Sequence, residues 1–210
     1  MSEHIMKQSK NNNFVNTINL QRFADNFDKN YSIKIDYNFD EVNKFLDINY
    51  YFVGYCSNIN FNENLIFQND AANRKDNLWK NTCCEVFIKN NKNNKNNNNN
   101  YYREFNFAFN GAWACYDFVD YRIAAKIANP KFENNIFPII NNDSGNKILN
   151  VKIPFAMLLN CNNFDNFDNF DNFDNLTLHF CAVVKEFQND NLYYYADKHL
   201  DNSKADFHKF

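Results

Sequence analysis

The stretch Tyr101–Arg122, YYREFNFAFNGAWACYDFVDYR, decides the fold. Apolar and polar residues alternate on either side of Asn110-Gly111, and a period of two is the strand signal. Asn-Gly suits a two-residue type I′ hairpin turn, in which both central residues need positive φ. Such a turn sets Phe109 opposite Ala112, Phe107 opposite Ala114 and Phe105 opposite Tyr116, large against small on a packed face. The other face then pairs Ala108 with Trp113, Asn106 with Cys115 and Glu104 with Asp117. An indole beside an amide and acids can stack on a flat apolar ligand face and hydrogen-bond to hydroxyls, as a sugar requires. The plainer reading is a solvated outer face with one Trp shielding the sheet.

Working outward, the same alternation recurs in YSIKIDYNF (31–39), INYYFVGYC (48–56) and LIFQ (65–68). LWKNTCCEVFIK (78–89) ends in another strand, and NKILNVKIPFAMLL (146–159) reads as a strand followed by a helical turn. LTLHFCAVVKEF (176–187) and NLYYYADKHL (191–200) read as a hairpin, and FDEVNKFLDI (39–48) as a short helix. Eight to eleven short strands without a long helix predict an all-β, antiparallel β-sandwich. Residues 1–13 read as a disordered tail and 14–210 as a single domain. Two Asn-rich stretches, 90–100 and the N-F-D repeats of 162–175, read as loop expansions, since neither forms a continuous apolar face.

Composition narrows the function classes. The net charge of −3 comes without clustered Lys/Arg, which argues against nucleic acid as a partner. No apolar run reaches membrane-spanning length. The polar N-terminal sequence MSEHIMKQSKNNNF lacks the pattern of an export signal, which predicts a cytoplasmic chain. Six Cys are scattered without a CxxC pair, so no metal site is expected and the thiols read as small apolar fillers. Cys83 and Cys84, adjacent on a strand, should point to opposite faces.

Three ordered blocks, RKDNLWKNTCCEVFIK (74–89), YYREFNFAFNGAWACYDFVDYR and LYYYADKHLDNSKADFHKF (192–210), resemble the DOMON-like, type 9 carbohydrate-binding-module family. The chain departs from that pattern at Ala205, where the family carries Pro, and in its Asn-rich expansions. The resemblance implies a β-sandwich of the DOMON and carbohydrate-binding-module kind, in a superfamily where some members bind sugars and others haem b. The candidate sugar-binding residues are Trp79, Glu85, Glu104, Asn106, Trp113, Tyr116 and Arg122. A structural alternative pairs Glu85 with Arg122 to tie strands together. For haem b the candidate ligands are His199, His208 and Met157. No nucleophile elbow or Gly-rich phosphate loop is present, so the expectation is a non-catalytic domain. Its ligand would be a saccharide or cell-wall-related small molecule, and the alternatives are haem or a protein partner.

Overall fold

The computed structural model describes residues 15–23, 31–62, 73–90, 101–124, 138–143, 146–158, 176–187, 190–200 and 204–209. The expected tail, both Asn-rich stretches and the LIFQ segment lie outside the described residues, apart from Asn90. The strands are β1 (Asn16–Arg22), β2 (Tyr31–Asp40), β3 (Phe45–Gly54), β4 (Cys83–Asn90), β5 (Tyr102–Phe107) and β6 (Trp113–Asp120). They continue with β7 (Ile123–Ala124), β8 (Ile139–Asp143), β9 (Ile148–Pro154), β10 (Leu176–Lys185) and β11 (Leu192–Ala196). One helical turn, α1 (Phe155–Leu158), follows β9, and a 3₁₀ turn spans Leu78–Lys80. The expected short helix at 39–48 is instead a turn at residues 41–44 between β2 and β3, with Lys44 at φ 61°.

Among the described residues all pairings between these strands are antiparallel, in the order β7-β6-β5-β4-β10-β11-β1-β2-β3-β9-β8. β1 joins the two halves, because Asn16–Leu20 pair with β2 while Gln21 and Arg22 pair with β11. Ile33, Ile35, Leu46, Ile48, Leu149, Val151 and Ile153 from one half share a core with Cys84, Val86, Ile88, Phe105, Phe107, Phe180, Ala182 and Val184 from the other. That shared core makes the fold the all-β sandwich expected from the alternation. Each fully buried large side chain contributes about 1.5–3 kcal/mol. Tyr50 crosses the core from β3 and donates its hydroxyl to the Glu85 carbonyl at 2.9 Å, so its buried polar end is satisfied.

The Tyr101–Arg122 hairpin forms, but one residue out of the expected register. Its loop has three residues, Phe109, Asn110 and Gly111, closed by Ala108 N–H donating to the Ala112 carbonyl at 2.9 Å. Gly111 alone in this loop has positive φ, at 81°. The Asn110 side chain accepts the Ala112 N–H at 3.0 Å. Phe109 explains the choice: its ring is buried against Phe52 and Phe61 with centroids 5.4 and 4.5 Å away, which places it in the loop and not in a strand pair. Gly111→Ala is therefore expected to cost about 1–2 kcal/mol, because a Cβ clashes in the left-handed region. A urea midpoint shift on that scale tests it.

A shift of one residue moves every side chain to the other face. Phe107 pairs with Trp113, Asn106 with Ala114, Phe105 with Cys115 and Glu104 with Tyr116. Trp113 consequently joins Phe105 and Phe107 in the core, and Tyr116 changes sides to stand with Glu104 and Asn106. Arg103 and Asp117 face inward as well, in a two-pronged buried ion pair at 2.5 and 2.8 Å. Arg103 also donates to the Met157 carbonyl of α1 at 2.5 Å.

Candidate functional site

The outer face of the second sheet is not simply solvated. Alternation sends Cys83, Glu85 and Phe87 outward from β4, Tyr102, Glu104 and Asn106 from β5, Tyr116 and Phe118 from β6, Val183 from β10 and Tyr194 from β11. A second apolar cluster forms there, including Phe87, Tyr102, Cys181, Val183 and Phe207. Two segments rise over it as walls. They leave a cavity of about 490 Å³ lined by Trp79, Glu85, Phe87, Glu104, Tyr116, Phe118, Arg122, Val183, Tyr194, Ala205, Phe207 and His208.

One wall is the 3₁₀ turn that carries Trp79. Asn77, at φ 62°, opens the turn, and its N–H points to the Tyr116 hydroxyl at 3.4 Å. That hydroxyl donates to Asp76 at 2.9 Å. Trp79 stays 46% exposed, a large aromatic face held at the cavity rim.

The other wall is the C-terminal segment. The Asp206 carboxylate is buried and accepts the Tyr121 hydroxyl and the Arg122 guanidinium, the latter at 3.0 and 3.3 Å. The hydrogen bonds from Tyr121 and Arg122, together with the Arg122 charge, outweigh burial and hold the Asp206 carboxyl below its ordinary pKa. His208 Nδ1 lies 2.7 Å from the Tyr102 hydroxyl. Because that hydroxyl accepts the Arg122 N–H at 3.1 Å, its own proton is available for Nδ1. Burial, reinforced by Arg122, pushes the His208 pKa down to about 4. The neutral ring then carries its proton on Nε2, which faces Glu104 Oε2 across 3.9 Å.

Glu85 and Glu104 form the floor, only 3% and 6% exposed. Asn106 donates to Glu104 Oε1 at 2.6 Å, and the Cys83 thiol lies 3.3 Å from Glu85 Oε1. Among the described residues, neither Oε2 receives a hydrogen bond. Burial and the neighbouring Glu104 push the Glu85 carboxyl well above its ordinary pKa. Burial lifts Glu104 from 4.5 to about 7, against the opposing pull of Asn106 and Arg122.

Folded Glu104 binds more protons than unfolded Glu104 between pH 4.5 and about 7, so its contribution to stability falls as pH rises through that window. Glu85 acts in the same direction. His208, held at about 4, opposes both below pH 6.5, and Asp206 acts at lower pH. Comparing Glu104→Gln with the parent cancels the His208 and Asp206 contributions, which do not depend on Glu104, and removes with Glu104 part of what raises Glu85. The variant should match the parent near pH 4.5 and exceed it at pH 8 by on the order of 3 kcal/mol. Thermal melts should then separate by roughly 5–10 °C. Parallel melting curves across that range would refute the assignment.

Five of the sequence-derived candidates, Trp79, Glu85, Glu104, Tyr116 and Arg122, therefore line one cavity. Asn106, fully buried, supports it from below through Glu104. Trp113 does not belong to it; the indole is 3% exposed on the opposite face, where Arg74 lies 5.5 Å over its ring. The alternative tie between Glu85 and Arg122 is not made, because Arg122 binds Asp206. The haem candidates do not converge: Met157 is buried in the central core, His199 contacts the Gln21 carbonyl at 2.8 Å, and only His208 lines the cavity. Two acids occupy the floor where haem needs an apolar face, so the set does not fit that group.

Sequence reasoning also passed over an arrangement beneath the site. His179 Nδ1 contacts Asp197, and its Nε2 lies 3.2 Å from the Cys181 thiol. A Cys-His-Asp order of this kind can activate a nucleophile. Here Cys181 and His179 are completely buried, and burial raises the Cys181 pKa, so the thiol is held as packing. Among the described residues no group of three metal-ligating side chains forms, and no helix is long and apolar enough to cross a membrane. No family model, curated protein or solved structure matches this chain.

Proposed function

We propose that the outer-face cavity binds a saccharide or glycan-derived metabolite without transforming it. The observation that carries this reading is the joining of a half-exposed Trp79 at the rim to two buried carboxyl groups on the floor. Sugars present apolar C–H faces to an indole and vicinal hydroxyls to carboxylates, and this cavity offers both partners. Arg122 and His208 add donors at the side. Glycosidic cleavage sets its two carboxyls on either side of the scissile bond. Glu85 and Glu104 project from adjacent strands on the same face, an arrangement suited to gripping hydroxyls from below.

The three motif blocks support assigning the sandwich to the DOMON-like, carbohydrate-binding kind. Calorimetric titration of the purified protein with mono- and disaccharides tests the reading. Saturable binding that is lost in Trp79→Ala, with the melting temperature unchanged, is the expected result. A Soret band in the purified protein, or binding indifferent to Trp79, would overturn it. Reproducible capture of one protein partner by a chain that ignores sugars would replace it with an interaction module.

A further inference from the structure

We infer that the ligand of the outer-face cavity carries a protonated amine, which docks between Glu85 and Glu104 as the ammonium of an amino sugar would. This rests on the saccharide reading and narrows it. Both side chains are more than nine-tenths buried and line the cavity, yet among the described residues each leaves Oε2 without a hydrogen bond. Both oxygens lie at the cavity wall, where a bound molecule can supply the donors that the protein does not.

The charge balance says which kind of group fills them. Arg122 is the only Lys or Arg among the described lining residues, and its guanidinium is committed to Asp206 at 3.0 Å. His208 turns one N–H toward Glu104 but stands 3.9 Å away, beyond hydrogen-bond reach. The floor thus lacks a cation of its own. A neutral hydroxyl supplies one donor, whereas an ammonium supplies three donors and the positive charge beside which both carboxyls ionise. The walls suit an organic cation as well: Trp79, Phe87, Tyr116 and Phe207 surround the floor with aromatic rings, whose faces attract ammonium groups. Among the described residues the two carboxyls and His208 do not converge as a metal-ligating group, so the floor is a poor cage for a bare metal ion.

The test compares three probes by calorimetry: glucosamine, N-acetylglucosamine, which keeps the ring and loses the charge, and ethanolamine, which keeps the amine and loses the ring. Glucosamine should bind at least about tenfold more tightly than N-acetylglucosamine, the scale of a charge-assisted hydrogen bond. That ratio should fall to near one in the Glu85→Gln/Glu104→Gln double variant, whose carboxamides preserve shape. A thermal melt of the double variant confirms folding. Equal affinity for the two sugars in the parent protein would overturn the amine inference and leave the saccharide reading standing. Binding of ethanolamine with neither sugar bound would uphold the amine and overturn the saccharide reading. Failure of all three probes would overturn both.

Discussion

Trp113→Ala should unfold or severely destabilise the protein, by about 3–5 kcal/mol, without a selective effect on ligand binding. The indole is 3% exposed and packs in the central cluster beside Phe107, its cross-strand partner. Truncation removes the transfer energy of the ring and leaves a cavity that neighbouring strands cannot close. The backbone there is also in use, since the Trp113 carbonyl accepts the Lys75 N–H at 2.8 Å. That bond anchors the segment leading to the Trp79 turn. Urea unfolding measures the loss. A Trp113→Ala protein of near-parental stability that has lost only its ligand would show that the residue belongs to the site after all.

Asp117→Ala is expected to cost a similar 3–5 kcal/mol for a different reason. Removing one member of a buried ion pair strands the other charge, and Arg103 cannot reach water to compensate. Arg103 also ties β5 to the Met157 carbonyl at the end of α1, so its displacement loosens the contact between the two halves of the sandwich. An apolar replacement of both members, Arg103→Met/Asp117→Leu, should recover most of the loss, because burial of the pair is itself costly. A double-mutant cycle in urea separates the two contributions. A cost below 1 kcal/mol for Asp117→Ala would mean that Arg103 finds another partner and that the pair does not hold the fold.

Much of this architecture was legible in the sequence. The alternation in LTLHFCAVVKEF and NLYYYADKHL yields β10 and β11 as a hairpin, and Pro154 ends β9 where α1 begins. Cys83 and Cys84 face opposite ways because β4 keeps its period of two. Other features are settled by tertiary contacts. Asn-Gly is compatible with either a two- or a three-residue hairpin loop, and the burial of Phe109 against Phe52 and Phe61 selects the latter. That one residue decides whether Trp113 or Tyr116 faces the site. The commitment of Arg122 to Asp206, 84 positions away, carries no local signal. Asp117, placed on the outer face beside Glu104 by a two-residue turn, is turned inward to Arg103 by the register alone.

The most direct test of the central claim, that the outer-face cavity is the binding site, is a fluorescence titration of two single-tryptophan variants. Trp113→Phe leaves Trp79 as the reporter at the cavity rim, and Trp79→Phe leaves Trp113 in the core. Adding glucosamine should change Trp79 emission saturably and leave Trp113 emission unchanged. A response confined to Trp113, or a silent Trp79 in a protein that binds the sugar by calorimetry, would contradict the account.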